Sequence, residues 1–156
     1  MQTVTPSPAR RHTTIHVHTE QPTQFVDLTA DLEAFVEASG IRWGLLNVQS
    51  LHTTAAIVVN EHDPLLLTDI AGLLERLAPL DAVYRHDNIT LRTANCVLGE
   101  PPNGHSHCRA VLLGSTAALN VADGALQLGR WQRVFLVELD GPRTRDVSLL
   151  LLGDGR

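Results

Sequence analysis

The chain is poor in cysteine, in positive charge and in long apolar runs, and each shortage removes a class of protein. Two cysteines, Cys96 and Cys108, in 156 residues make no disulfide framework, so a reducing compartment is expected. A formal net charge of −5 is the wrong sign for general nucleic-acid binding, which needs a basic surface. The opening MQTVTPSPARRH has no apolar signal-peptide core, and no apolar run reaches membrane-spanning length. The expectation is a cytoplasmic protein with neither a membrane nor a nucleic acid as partner. A Gly-rich phosphate loop, a nucleophile elbow and a Cys-x-x-Cys pair are also missing, so the common hydrolase and nucleotide-binding motifs are absent. What remains is a length suited to one core and one surplus. There are eight histidines, the residue most used for metal ligation and for acid–base work near neutral pH.

The chain is organised around GLLNVQSLHTTAAIVVNEHD, residues 44–63. Two short apolar runs read as buried strands, and His52-Thr53-Thr54 sits between them. Polar groups inside a buried strand need partners, so these three residues occupy a turn or line a pocket. The pocket is taken as the working reading.

Residues 1–10 read as a loose arm and 11–156 as one domain. Residues 12–19 alternate as a half-buried strand, with His12, His16 and His18 on the solvated face. Residues 24–28 form a short strand. Thr29 is then an expected N-cap for a helix bearing Leu32, Phe35 and Val36, stopped by Gly40. Asp63-Pro64 starts a second helix, whose stripe of Leu66, Ile70, Leu73, Leu74 and Leu77 reads as core, with Asp69 outside. Residues 81–104 are irregular, with some strand character over 89–98. A loop this long is often functional. Strands are predicted over 107–113, 117–121, 131–139 and 144–152, with a hairpin at Asp123-Gly124 and the last two strands paired. Two helices among antiparallel strands make the class α+β.

His105-Ser106-His107 has the clearest ligand spacing, because i and i+2 share a face on an extended chain. Such a pair grips a metal or is merely polar surface. His52 and His86 are candidate third ligands, or else a core and a loop histidine. Arg143 and Arg145 can hold a phosphate bidentately, although a pair of surface cations near Glu138 or Asp146 is the simpler reading. Trp131 reads as a core anchor, Gln132 as a possible hydrogen-bonding group in the pocket, and Cys108 as a buried thiol facing away from His107.

HTTAAIVVNEHDP, YRHDN, NGHSHCRAVLLG, LGRWQ and VELDGPRTR, taken together and in this order, resemble the YjbQ-like family, which also carries the label secondary thiamine-phosphate synthase enzyme. The resemblance implies an α+β fold with a large, mostly antiparallel sheet or sandwich, assembled as a homotrimer. It implies a divalent metal, zinc by preference, on His52, His86 and His107. It puts Glu61, Asn103 and Gln132 in catalytic roles, and Thr53, Thr54, Asn60 and Arg143 on substrate. His105 stands where similar proteins often carry another residue, which weakens it as a ligand. Arg130 replaces the threonine of the family's Gly-Thr-Trp-Gln, which removes a hydroxyl there. The implied reaction joins hydroxymethylpyrimidine diphosphate to thiazole phosphate with release of pyrophosphate, a transferase activity that needs cationic groups on the leaving diphosphate. A metal-dependent hydrolase of a small phosphorylated metabolite is the rival reading. A non-catalytic trimer that binds a ligand or stores metal is the third.

Overall fold

The computed structural model describes residues 9–97 and 99–154. Two antiparallel sheets carry the chain. The larger has the order β1(Ala9–His18), β8(Thr144–Gly153), β3(Gly44–Ser50), β5(Thr116–Ala122), β6(Ala125–Leu126). The smaller has the order β2(Gln24–Asp27), β7(Gln132–Glu138), β4(Ala55–Glu61). Three helices join them: α1(Thr29–Ser39), α2(Pro64–Leu77) and α3(Gly104–Leu113). No described helix is long and apolar enough to cross a membrane.

The strand patterns follow from which faces are covered. In β8, Val147, Leu149 and Leu151 are buried and alternate with more exposed residues, as in a sheet packed on one side only. The smaller sheet is covered on both sides, so its strands read as unbroken apolar runs. Val134 and Leu136 of β7 face the larger sheet and α1, while Phe135 and Val137 face α2 and α3. Ala55 and Ile57 divide from Ala56 in the same way on β4. The main core therefore lies between the sheets, with Leu32 and Val36 of α1 joining it.

Several elements follow the sequence. Asp63 caps α2 by accepting the Leu66 N–H at 2.8 Å, with Pro64 in the first turn. Gly40 ends α1 at φ 70°. Asp123 and Gly124 take φ of 55° and 84°, as a two-residue hairpin turn needs.

Other elements differ. The strand expected over 107–113 is α3. Its run RAVLL is too short to separate buried strand from buried helix by hydrophobicity. Burial of His105, Ser106, Arg109 and Ala110 follows the helical period instead. Thr29 is the first residue of α1 rather than its cap, because its hydroxyl accepts the Val134 N–H at 2.9 Å, while Asp27 accepts the Thr29 N–H. β7 and β8 are not a pair but lie in different sheets. Residues 89–97 form turns and bends without strand, and Leu98 is outside the described residues. Ala9 and Arg10, placed in the arm, pair with Gly153 and Leu152 in the sheet, and residues 1–8 are outside the described residues. Of the α2 stripe only Leu74 is fully buried, since the smaller sheet is narrow and leaves Leu73 and Leu77 exposed.

Candidate functional site

Among the connections that cross between the sheets are two turns, residues 51–54 from β3 to β4 and residues 139–143 from β7 to β8. The turns lie side by side because β4 and β7 pair with Ala55 opposite Glu138. A buried ionic cluster holds them there. Glu138 has no exposed surface. Its Oε1 accepts the Leu139 and Asp140 N–H groups at 2.8 and 2.7 Å, and its Oε2 accepts the Thr19 hydroxyl at 2.9 Å. Arg145, 3 % exposed, donates to both carboxylate oxygens and also to the Thr54 hydroxyl at 3.1 Å. Burial alone would raise the Glu138 carboxyl. The guanidinium, the Asp140 N–H and the Thr19 hydroxyl outweigh it and hold the group below its ordinary range. Gly141 is required beside this cluster, because a Cβ there would run into the Gln21 carbonyl and the Glu138 side chain.

His52 stands on the first turn. Its Nε2 accepts the Asp146 N–H at 2.7 Å. A neutral imidazole has one lone pair in the ring plane and one N–H, so the proton of this ring sits on Nδ1. Burial, and then the nearby Arg145, hold His52 below the usual imidazole value.

The start of α3 forms the opposite wall. Asp87 Oδ1 accepts the Asn103 and Gly104 N–H groups at 3.0 and 2.8 Å, which fixes that helix end to the Arg85–Asp87 turn. Gly104 lets the Tyr84 ring close on the helix, where any Cβ would collide with it. Asn103 Nδ2 donates to Asp140 Oδ2 at 3.1 Å, and Arg143 Nη2 reaches the same oxygen at 2.9 Å. The His86 and His107 rings meet edge to face, with centroids 4.6 Å apart. His86 Nε2 and Asn103 Oδ1 are buried without a hydrogen-bond partner. Burial, and then His86, hold His107 below the usual imidazole value.

These walls enclose a cleft of about 650 Å³ lined by His52, Thr53, Thr54, Asn103, His107 and Arg143, with Arg145 at its base. Six of the residues expected to form the site thus converge from separate stretches of chain. Asn60, Glu61 and Gln132 do not. The register sets Glu61 opposite Gln132 at the far end of β4 and β7, about 20 Å along the strand from Thr54. There they line a separate hollow with Arg130 and an exposed Trp131. Trp131 is thus no core anchor: it precedes β7 and packs under the Arg130 guanidinium, 4.6 Å from its ring.

The His-x-His pair is not a chelate. On a helix, residues two apart point about 200° away from each other. His105 therefore faces inward, 7 % exposed, 3.0 Å from the Ser106 hydroxyl, while His107 faces the cleft. The same helix turns Cys108 outward, so it is exposed rather than buried. Among the described residues no three His, Cys, Asp or Glu side chains gather closely enough to hold a metal ion. Of the three expected ligands only His86 and His107 lie together, as neighbouring rings. His52 stands apart, its one lone pair taken by the Asp146 N–H.

The sequence alone presents Arg145 as a phosphate holder or a surface cation near Glu138 or Asp146, so it misses the buried clamp that Arg145 makes with Glu138, and it does not pick out Thr19 at all. Glu138 and Arg145 carried a signal, a carboxylate closing the apolar run VFLV that must find a cation if the strand is buried. Thr19 carried none.

Fold and cleft define a class: a two-sheet α+β protein with a polar, imidazole-walled cleft at the turns between its sheets. The chain belongs to the family described as UPF0047 protein YjbQ-like, whose family model matches residues 13–154. It is 40 % identical over 137 residues to a UPF0047 protein of Methanothermobacter thermautotrophicus, covering 88 % of each chain. A UPF0047 protein of Archaeoglobus fulgidus is 38 % identical, over 86 % of this chain and 95 % of that one. The crystal structure of a YbjQ-like protein of unknown function from Sulfolobus solfataricus superposes with a TM-score of 0.85 at 34 % identity, over 95 % of this chain and 100 % of that one.

Proposed function

We propose that the protein is a small-molecule enzyme acting on a phosphorylated metabolite in the cleft between the two sheet-crossing turns. The observation that carries this reading is the convergence of His52, Thr53, Thr54, Asn103, His107 and Arg143 on one cavity. Arg143 supplies fixed positive charge for phosphate oxygens. His52, with its proton on Nδ1, donates to an oxyanion, and the Thr53 hydroxyl adds a further donor. A divalent metal, zinc by ligand type, would sit on His86 and His107 and supply Lewis-acid polarisation of a phosphoryl oxygen.

The coupling of hydroxymethylpyrimidine diphosphate with thiazole phosphate is the reaction to test first. Purified protein incubated with both compounds should yield thiamine phosphate and pyrophosphate, and should stop doing so in His52→Ala. If no coupled product forms, the synthase reading is wrong. Hydrolysis of a phosphate-ester panel that His52→Ala abolishes would instead place the chemistry with hydrolases. Elemental analysis of wild type against His107→Ala tests the metal, and equal metal in both would remove it. A homotrimer belongs to the same proposal, supported by exposed Leu77, Val111 and Leu112 beside His107. Sedimentation equilibrium at the monomer mass would refute it.

A further inference from the structure

The paired-imidazole spacing that α3 denies to His105 and His107 is present on β1. His16 and His18 stand on an extended strand and point to one face, with Cα atoms about 7 Å apart. That face is the outer side of the larger sheet. Both residues are exposed, while Ile15 and Val17 turn the other way and pack against the core. Two imidazoles so placed can meet on one cation.

The register of β1 on β8 prepares both rings. It sets His16 opposite Asp146 and His18 opposite Thr144. His16 Nδ1 lies 2.7 Å from Asp146 Oδ1. An ionised carboxylate only accepts, so the neutral ring carries its proton on Nδ1 and its lone pair on Nε2. His18 Nδ1 lies 2.9 Å from the Thr144 hydroxyl, which can accept in the same sense. Metal-ligating imidazoles are oriented in this way, by donating from the second nitrogen to a neighbouring oxygen. The His16 side chain is 66 % exposed, so an ion reaches it without moving the core. His12 shares the face but stands about 13 Å along the strand from His16, and its Nε2 is engaged with Ser148 at 3.1 Å. Asp146 is committed to orienting His16. The protein thus offers two nitrogens, and water completes the coordination.

We propose that His16 and His18 form a surface site for a divalent transition-metal ion, on residues outside the cleft lining. Imidazole nitrogens suit zinc, nickel and copper rather than magnesium or calcium. The inference is independent of the phosphate reading of the cleft.

Calorimetric titration of untagged protein with nickel chloride tests it, in the His107→Ala variant so that the cleft contributes no metal. An ion should bind, and magnesium chloride should not compete. Adding His16→Ala or His18→Ala should weaken binding at least about tenfold, and Asp146→Ala, which removes the orienting acceptor, by about tenfold. Adding His12→Ala should leave binding unchanged. These side chains are exposed, and unchanged thermal unfolding midpoints would show that the variants fold. No nickel binding, or binding that survives the loss of both His16 and His18, would overturn the inference. Equal weakening in His12→Ala would reduce the strand to a diffuse attractor of cations and overturn it too. Nickel bound by wild type but lost in His107→Ala alone would assign the ion to the cleft and refute the strand site.

Discussion

Glu138→Gln is the most informative single change. Glutamine keeps the shape, and its Oε1 can still accept the Leu139 and Asp140 N–H groups. The other carboxylate oxygen, which takes the Thr19 hydroxyl at 2.9 Å and the Arg145 Nε–H at 2.6 Å, becomes an NH2 facing another N–H. Arg145, 3 % exposed, is left as a buried charge without its counter-ion. Breaking a buried pair from one side costs about 3–5 kcal/mol, a large part of the about 5–15 kcal/mol by which a domain is stable. Urea unfolding at neutral pH should show this loss as a lower midpoint with unchanged slope. The double variant Glu138→Leu with Arg145→Met removes both charges and should be less destabilised than Glu138→Gln alone. Because the folded carboxyl is held below its ordinary range, its contribution is complete at neutral pH. It is lost as pH falls from the ordinary carboxylate range through the lower folded value. Glu138→Gln should lack that acid-side loss. A Glu138→Gln protein within about 1 kcal/mol of wild type would refute the argument that this pair clamps the crossings.

Three further outcomes follow from the same geometry. His52, His105 and His107 are all held below the usual imidazole value, by burial first, so the unfolded chain takes up protons before the folded one. Stability should decline as pH falls below about 6.5 and level off beneath the folded values, which denaturation midpoints at pH 7.5 and 5.5 would register; equal midpoints would contradict it. His52→Ala removes the acceptor of the Asp146 N–H, and amide exchange at Asp146 should accelerate more than at Leu149 of the same strand. Gly104→Ala forces a methyl into the Tyr84 side chain, and thermal unfolding should show a loss of about 1–3 kcal/mol.

Much of this molecule is written locally. The Asp63-Pro64 start, the Gly40 stop, the Asp123-Gly124 hairpin and the strands on either side of His52 all rest on neighbours in the chain, where dihedral preference and side-chain period act directly. The family was legible for a related reason, because its motifs are contiguous strings. The pairing of strands was not. β7 and β8 are successive in sequence yet lie in different sheets, since VFLV needs cover on both faces and the alternating residues of β8 need it on one. RAVLL became a helix because its inward residues pack beneath α2 and against the smaller sheet, and that turned an apparent His-x-His chelate into one core histidine and one cleft histidine. Residue type alone determined that this chain would gather imidazoles, hydroxyls and a guanidinium around its HTT turn. Only the tertiary structure decided which of them meet. Six converge because two sheet crossings share a buried Glu138–Arg145 pair, while Asn60, Glu61 and Gln132 are carried a full strand's length away by the register of β4 on β7.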